Sequence, residues 1–301
     1  MRPDFFDQER TRLLGVAYRL VGTPDDAEDV VQEAWFRWSK AISANQTIEN
    51  PAGWLTTVVA RLAIERLRSA QRRKEEYVGP WLSEPWFDIP SGFVETDDPA
   101  SQLLLYESIS LGFLSVLERL SPLERAVFIL HKIFDTPLTE VSEIIERTVP
   151  ATRQLSKRAN DHVQAERPRF DVDEAEVERL MTVVMSATLT GDIETLESYL
   201  AADVVHLSDG GPDHRAARAP IVGAARVARF YTGIAKNAQP GMEYHQVRAN
   251  GQLAIYVTLN GDPFLLQVAN VQGGKVTASF SVRNPDKLAT FHQSWLTSRD
   301  R

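Results

Sequence analysis

The sequence predicts a multidomain chain, two all-α units followed by an α+β unit built on an antiparallel sheet. Three observations carry this. Apolar residues recur at helical spacing through residues 4–74 and again beyond Leu103. A stretch rich in Pro, Trp and acids, Gly79 to Pro99, separates those two runs. In the last third, Asn250-Gly251, Asn260-Gly261 and Gly273-Gly274 punctuate runs rich in Val, Ile, Tyr, Phe and Thr.

In chain order, Leu13, Leu14, Ala17, Leu20 and Val21 form the stripe of a first helix, which Gly22-Thr23-Pro24 ends. Asp25-Asp26 opens a second helix through Val30, Val31, Ala34 and Trp35, with Trp35 placed in the core. Asn50-Pro51 starts a third, buried along Leu55, Val58, Val59, Leu62, Ala63 and Leu67. Beside that stripe, Arg61, Glu65, Arg68 and Arg72 follow one another at steps of four, three and four, as one exposed face. Four prolines between Gly79 and Pro99 leave a linker. Ser121 and Glu124 have the spacing of a capping box. From Phe134 to Leu155 the pattern is that of a helix-turn-helix. Leu138, Val141, Ile144 and Ile145 line a first helix, Arg147-Thr148 turns, and Pro150 opens a second helix bearing Arg153, Gln154, Lys157 and Arg158. Two helices over 175–190 and 192–200 then precede four strands, roughly 243–249, 252–259, 263–271 and 275–283, with helices on one face of the sheet. The expected units are 1–76, a linker 77–102, 103–167 and 168–301.

Composition narrows the function. Of 301 residues 43% are hydrophobic and 25% charged, as in a soluble globular protein. No apolar run is long enough to span a bilayer, and no signal peptide is visible, so a cytoplasmic protein is expected. Cysteine is absent, which excludes disulfides, thiolate metal sites and a thiol nucleophile. The net charge of −8 argues against a generic polyanion binder, yet its distribution is uneven. Arg61 to Lys74 holds six cations and one acid, and Arg147 to Arg158 holds four cations and no acid. Between them, Glu75 to Glu118 holds nine acids and no Lys or Arg.

Residues 11–38, with Gly22-Thr23-Pro24-Asp25-Asp26-Ala27-Glu28-Asp29-Val30-Val31-Gln32-Glu33-Ala34-Trp35, resemble region 2 of extracytoplasmic-function sigma factors. Residues 50–74 resemble the rest of that region, and 121–164 resemble region 4. Tyr77-Val78-Gly79-Pro80-Trp81-Leu82-Ser83-Glu84-Pro85, Ser208-Asp209-Gly210-Gly211 and Val282-Arg283-Asn284-Pro285-Asp286-Lys287-Leu288 are similar to the subgroup carrying a fused SnoaL-like domain. That resemblance implies a cone-shaped third domain with a curved sheet. The chain departs from the subgroup at Ser83, where proline is usual, at Pro212-Asp213, which replaces Gly-Lys, and at Glu146, which takes a turn glycine's place.

The resemblance also implies roles. Asp25, Asp29, Gln32 and Glu33 would meet the clamp helices of the polymerase β′ subunit. Arg61, Arg66, Arg68, Arg72 and Arg73 would hold −10 promoter DNA, with Trp54 or Trp35 near the strand-opening surface. Arg153, Gln154, Lys157 and Arg158 would read the −35 element while region 4 meets the β flap. The acidic linker, with Asp88, Glu95, Asp97 and Asp98, is similar to the segment that enters the polymerase active-site channel. Trp81, Leu82 and Trp86 are expected to dock on the C-terminal domain, and Asp209, Gly210, Gly211, Asn284, Pro285, Asp286, Lys287 and Leu288 to form its regulatory surface.

Each assignment has a plainer alternative: a solvated acidic face with Asp25 and Asp26 favouring a helix N-terminus, an αα-hairpin with a basic face, a simple tether. In the last domain His206, Asp209, Asp213, His214, Tyr231, Tyr244, His245 and Tyr256 could supply acid–base chemistry in a cavity. Equally, Asp209-Gly210-Gly211 reads as a turn and Asn284-Pro285-Asp286 as a helix cap. A regulatory, non-enzymatic domain is expected, with no cofactor and no metal, and with a small ligand left open. The competing readings are a ligand-sensing helix-turn-helix regulator that never touches polymerase, and an isomerase or cyclase with a DNA-binding passenger.

Overall fold

The computed structural model describes residues 5–75, 77, 79–90, 92–93, 99–166, 174–212 and 216–299. They form two compact units, one of residues 1–76 with 89–167 and the other of 77–88 with 168–301.

The first unit begins with three helices, α1 (Phe5–Val21), α2 (Pro24–Ser43) and α3 (Pro51–Glu75). Thr23 caps α2 through its hydroxyl, which accepts the Asp26 N–H at 3.2 Å, and Pro24 fills the first turn where no donor is needed. The buried stripe of α2 runs Ala27, Val30, Val31, Ala34, Trp38 and Ala41. This corrects the expectation for Trp35, which stands 44% exposed beside exposed Phe36. Trp35 lies one residue, about 100° of helix, past Ala34 and so off the stripe. The core position belongs to Trp38, whose ring packs on Phe5 and Trp54, each with centroids 5.9 Å away.

Five further helices complete this unit: α4 (Pro99–Glu107), α5 (Leu111–Leu117), α6 (Pro122–Phe128), α7 (Leu138–Ile144) and α8 (Val149–Glu166), with a π turn at Ile129–Ile133 before α7. The capping box of α6 is formed by Ser121 and Glu124 in both directions. Arg19 joins the two helical groups. Fully buried, it donates to Ser108 Oγ at 2.7 Å, Gly15 O at 2.9 Å, Leu105 O at 2.8 Å and Phe93 O at 3.3 Å. Burial lowers its pKa to about 9, so it keeps its proton at neutral pH. Its own carbonyl accepts from Arg125 Nε at 3.0 Å, and Arg125 pairs with Glu118 at 2.8 Å out of water.

The second unit carries α9 (Glu174–Thr190), α10 (Ile193–Tyr199), β1 (Leu200–Asp209), β2 (Ile221–Val222), α11 (Ala224–Ala235), β3 (Met242–Ala249), β4 (Gln252–Leu259), β5 (Asp262–Gln272), β6 (Lys275–Val282) and α12 (Pro285–Arg299). The three hairpins turn where expected. Asn250-Gly251 and Asn260-Gly261 have positive φ at both positions (55° and 73°, 53° and 92°), which suits the right-handed twist of the strands. Two features correct the antiparallel, one-sided picture. The sheet has six strands in the order β2-β1-β6-β5-β4-β3, with β1 parallel to β6. Helices also cover both faces. Ile255 and Val257 face a cavity roofed by α9 and α11, whereas Tyr256 between them packs on Phe291 and Trp295 of α12.

Candidate functional site

On α2, Asp25, Asp29, Gln32 and Glu33 are all exposed and lie on one acidic face. Glu33 pairs with Arg37 one turn on, at 3.0 Å. On α3, Arg61 and Arg68 are exposed and Arg66 is half-buried. Two of these arginines already have partners in this unit. Arg61 donates to the carbonyls of Glu143 at 3.0 Å and Ile144 at 3.2 Å, where the C-terminal end of α7 carries partial negative charge. Arg66 pairs with Asp26 and, at 3.2 Å, with Asp29, so one expected DNA residue and one expected polymerase residue share an ion pair. The Arg72 and Arg73 side chains lie outside the described residues.

The helix-turn-helix is formed by α7 and α8. Val141, Ile144 and Ile145 are buried, and Glu146 turns the chain with φ of 57°, the left-handed region where glycine is at home. Along α8, Thr152, Ser156, Ala159 and Val163 face inward. Arg153, Gln154, Lys157 and Arg158 therefore face outward together, and Arg158 reaches Glu124 at 3.2 Å.

In the second unit the motifs singled out in the sequence meet around Asp209. Asp209 Oδ2 accepts the Leu82 N–H at 2.8 Å and pairs with Lys287 Nζ at 2.8 Å. Lys287 also donates to Leu82 O at 2.6 Å and sits 3.3 Å from the centre of the Trp81 ring, a close cation–π contact. Tyr77 donates its hydroxyl proton to Asp209 Oδ1 and accepts from Asn284 Nδ2 at 3.1 Å. Burial, with the hydrogen bond to Asp209 behind it, pushes the Tyr77 phenol above its ordinary range. Leu82 is fully buried, and Ser83 is buried beside it.

Local backbone explains why these residue types stand here. A Cβ at Gly211 (φ 68°) would lie 2.9 Å from Asn284 Cγ, so Asn284 occupies the space that glycine leaves. Asn284 Oδ1 accepts the Asp286 N–H at 3.1 Å, and Pro285 opens α12, which aims Lys287 inward and buries Leu288. Asp286 itself is exposed, and Gly210 is buried. The sequence reading did not single out three further participants. These are Tyr77, Asn250, which exchanges backbone and side-chain hydrogen bonds with Trp86 at 2.8 and 3.0 Å, and Phe87, edge-on to Phe291 at 5.3 Å. Tyr77 stood only as the first residue of a quoted motif and Asn250 only as a hairpin residue, and Phe87 had no signal beyond its place in a proline-rich segment.

The cavity under α9 and α11 has a volume of about 710 Å³. Of the acid–base candidates, His206, Tyr231 and Tyr244 line it. Asp209, His245 and Tyr256 face away from it, His245 meeting Thr258 at 3.1 Å and Tyr256 meeting His292 Nδ1 at 2.7 Å. Asp213 and His214 lie outside the described residues. Within the cavity wall, Ser279 Oγ lies 2.7 Å from His206 Nδ1 and 2.5 Å from Tyr231 OH, which also accepts from Gln267 at 2.9 Å. Desolvation lowers the His206 pKa to about 4 and raises that of Tyr231 to about 12, so both are neutral at pH 7. No Asp or Glu lines the cavity among the described residues. Nor, among them, do three His, Asp or Glu side chains cluster as a metal site, and no helix is long and apolar enough to cross a membrane.

This architecture defines a helix-turn-helix protein with a fused α+β domain. The family model for Sigma-70 region 2 matches residues 5–73. The chain is 36% identical over 294 residues to the ECF RNA polymerase sigma factor SigJ of Mycobacterium tuberculosis, covering 94% of this chain and 92% of that protein. It is 30% identical over 279 residues to the probable ECF RNA polymerase sigma factor SigI of the same species, covering 93% and 92%. The crystal structure of M. tuberculosis SigJ superposes with a TM-score of 0.73 at 33% identity, over 94% of this chain and 97% of that one. The chain belongs to the ECF RNA polymerase sigma factors.

Proposed function

We propose that the chain directs promoter-specific initiation by bacterial RNA polymerase in the cytoplasm, and that its second unit sets this activity in cis without catalysing a reaction. The observation carrying the first part is the pairing of opposite surfaces within one unit. The acidic face of α2 suits a basic coiled coil such as the β′ clamp helices, and the outward face of α8 suits DNA phosphates and base edges in a major groove. Region 4 would also meet the β flap. Arg68 is exposed for the −10 contact and Arg153, Gln154 and Lys157 for the −35 contact, whereas Arg61, Arg66 and Arg158 would exchange their present partners for DNA. Cis control rests on the Tyr77–Asp88 segment. The resemblance sends such a linker into the polymerase channel, yet here Asp209 and Lys287 hold it by main-chain and side-chain bonds. The non-catalytic reading is supported by a cavity whose described walls offer no carboxylate as a general base.

The test is transcription in vitro from the gene's own upstream region with core polymerase, comparing the full chain with one ending at Arg167. Initiation that depends on the chain, at a rate that truncation changes, supports the proposal. A pull-down with core polymerase separates it from a regulator that binds only DNA, because Asp29→Lys with Glu33→Lys should abolish capture. Failure of the unmodified chain to bind core would favour the DNA-only regulator.

A further inference from the structure

The cavity of the second unit has no part in the contacts around Asp209, and its polar groups fall into two sets. Its volume of about 710 Å³ lies within the few hundred to a thousand Å³ of sites for drug-sized molecules. Tyr244, Asn237 and Gln239 are exposed and mark its mouth, where they meet water and make no demand on a ligand. Val184, Phe230, Ile255, Val257 and Leu265 give it apolar walls. The buried set is the informative one. Ser208 of β1 and Ser281 of β6 are register partners on adjacent parallel strands, and both line the cavity. They are 3% and 5% exposed. Neither side chain has a hydrogen-bond partner among the described residues, and neither oxygen is sealed off from the cavity. His206, two residues before Ser208 on the same face of β1, has a buried Nε2 that is also without a partner. Tyr231, Ser279 and Gln267, by contrast, satisfy one another.

Hydrogen-bonding capacity left unused at the bottom of an apolar chamber suits the polar end of a ligand. Adjacent strands lie about 5 Å apart, so one oxygen atom between the two serines can accept from both hydroxyls. The charges select an uncharged ligand. No Asp or Glu lines the cavity among the described residues, so a cation would have no counter-charge. Arg283, the one charged side chain lining it among them, has interactions of its own and lies 4.4 Å from the centre of the Phe264 ring, so a carboxylate would find no free partner. We propose that this cavity binds an uncharged, elongated apolar molecule tipped with a hydroxyl or carbonyl oxygen, the oxygen seated between Ser208 and Ser281.

Equilibrium dialysis of the full chain against 4-phenylphenol, biphenyl and biphenyl-4-carboxylate at pH 7 tests this. 4-Phenylphenol is expected to saturate one site per chain, roughly tenfold or more tightly than the carboxylate. Ser208→Ala with Ser281→Ala should weaken 4-phenylphenol roughly tenfold and leave biphenyl, the same body without the oxygen, unchanged. Val257→Trp, which fills the chamber, should remove both. Each variant is first checked for an unchanged circular dichroism spectrum. The comparison of phenol with carboxylate on the unsubstituted chain decides the matter even if a variant misfolds. No saturable binding of 4-phenylphenol, a carboxylate bound as tightly as the phenol, an unchanged phenol affinity in the double serine variant, or binding that survives Val257→Trp would each overturn the proposal.

Discussion

Lys287 Nζ stands 2.8 Å from Asp209 Oδ2, with side-chain exposures of 3% and 0%. A charge so dehydrated is tolerable only with its partner present. Lys287→Met leaves the Asp209 carboxylate buried with the Leu82 and Gly211 N–H groups and the Tyr77 hydroxyl as its donors, and it should lose about 3–5 kcal/mol of unfolding free energy. Adding Asp209→Leu removes the stranded charge and should return part of that loss. Urea denaturation of the two variants measures both. Equal loss in the single and double variants would mean that packing, not charge pairing, dominates here.

The same lysine holds the linker through the Trp81 ring. A dehydrated cation–π contact is worth about 1–2 kcal/mol, so Trp81→Ala should speed amide exchange at Leu82 roughly tenfold, because its N–H is protected by Asp209. Hydrogen exchange by mass spectrometry over residues 79–90 reads this. Unchanged exchange together with unchanged transcription would remove Trp81 from the docking proposed above.

Much of this fold was legible, for local reasons. Asn-Gly pairs demand positive φ, so the hairpins announced themselves. Ser121 with Glu124, and the stripes of α1 and α3, depend only on spacing within a few residues. What stayed hidden depends on partners far along the chain. Strand β1 follows α10 with no breaking residue, and its parallel neighbour β6 lies some seventy positions later. The arginines of α3 read as one exposed stripe, but Arg61 meets carbonyls 82 and 83 positions away and Arg66 meets an acid 40 positions away. Tyr77 finds Asp209 across 132 positions, and no periodicity encodes that. The cavity is likewise assembled from side chains of α9, α11 and five strands. For Trp35 and Trp38 the stripe was visible, but it continues four residues past Ala34 to Trp38 and not one residue past it to Trp35.

Glu146 tests the cost of the helix-turn-helix turn. An L-residue in the left-handed region loses roughly 1–2 kcal/mol relative to its right-handed form, and glycine escapes this at a smaller entropic cost. The 3.7 Å approach of Glu146 to Arg61 is solvent-exposed and contributes little. Glu146→Gly should therefore stabilise the first unit by about 0.5–1 kcal/mol, and Glu146→Val should destabilise it by about 1 kcal/mol or more. Thermal denaturation of both variants checks the order. A stabilised valine variant would contradict the assigned backbone conformation.

His206 gives the second unit a defined response to acid. Its pKa falls from 6.5 to about 4 on folding because burial disfavours the imidazolium. Between those values the unfolded chain takes up a proton that the folded chain refuses. The stability this neutral histidine provides is complete above pH 6.5 and drains away as pH falls towards 4, by about 3 kcal/mol in all. His206→Gln can keep the bond to Ser279 while removing the titration. Urea denaturation at half-unit steps from pH 7.5 to 4 should show a steeper decline for the unsubstituted chain than for the variant. His245 and His292, whose pKa values are also lowered by burial, titrate in both proteins and cancel in the difference. Parallel curves would show that burial does not hold His206 neutral in the folded state.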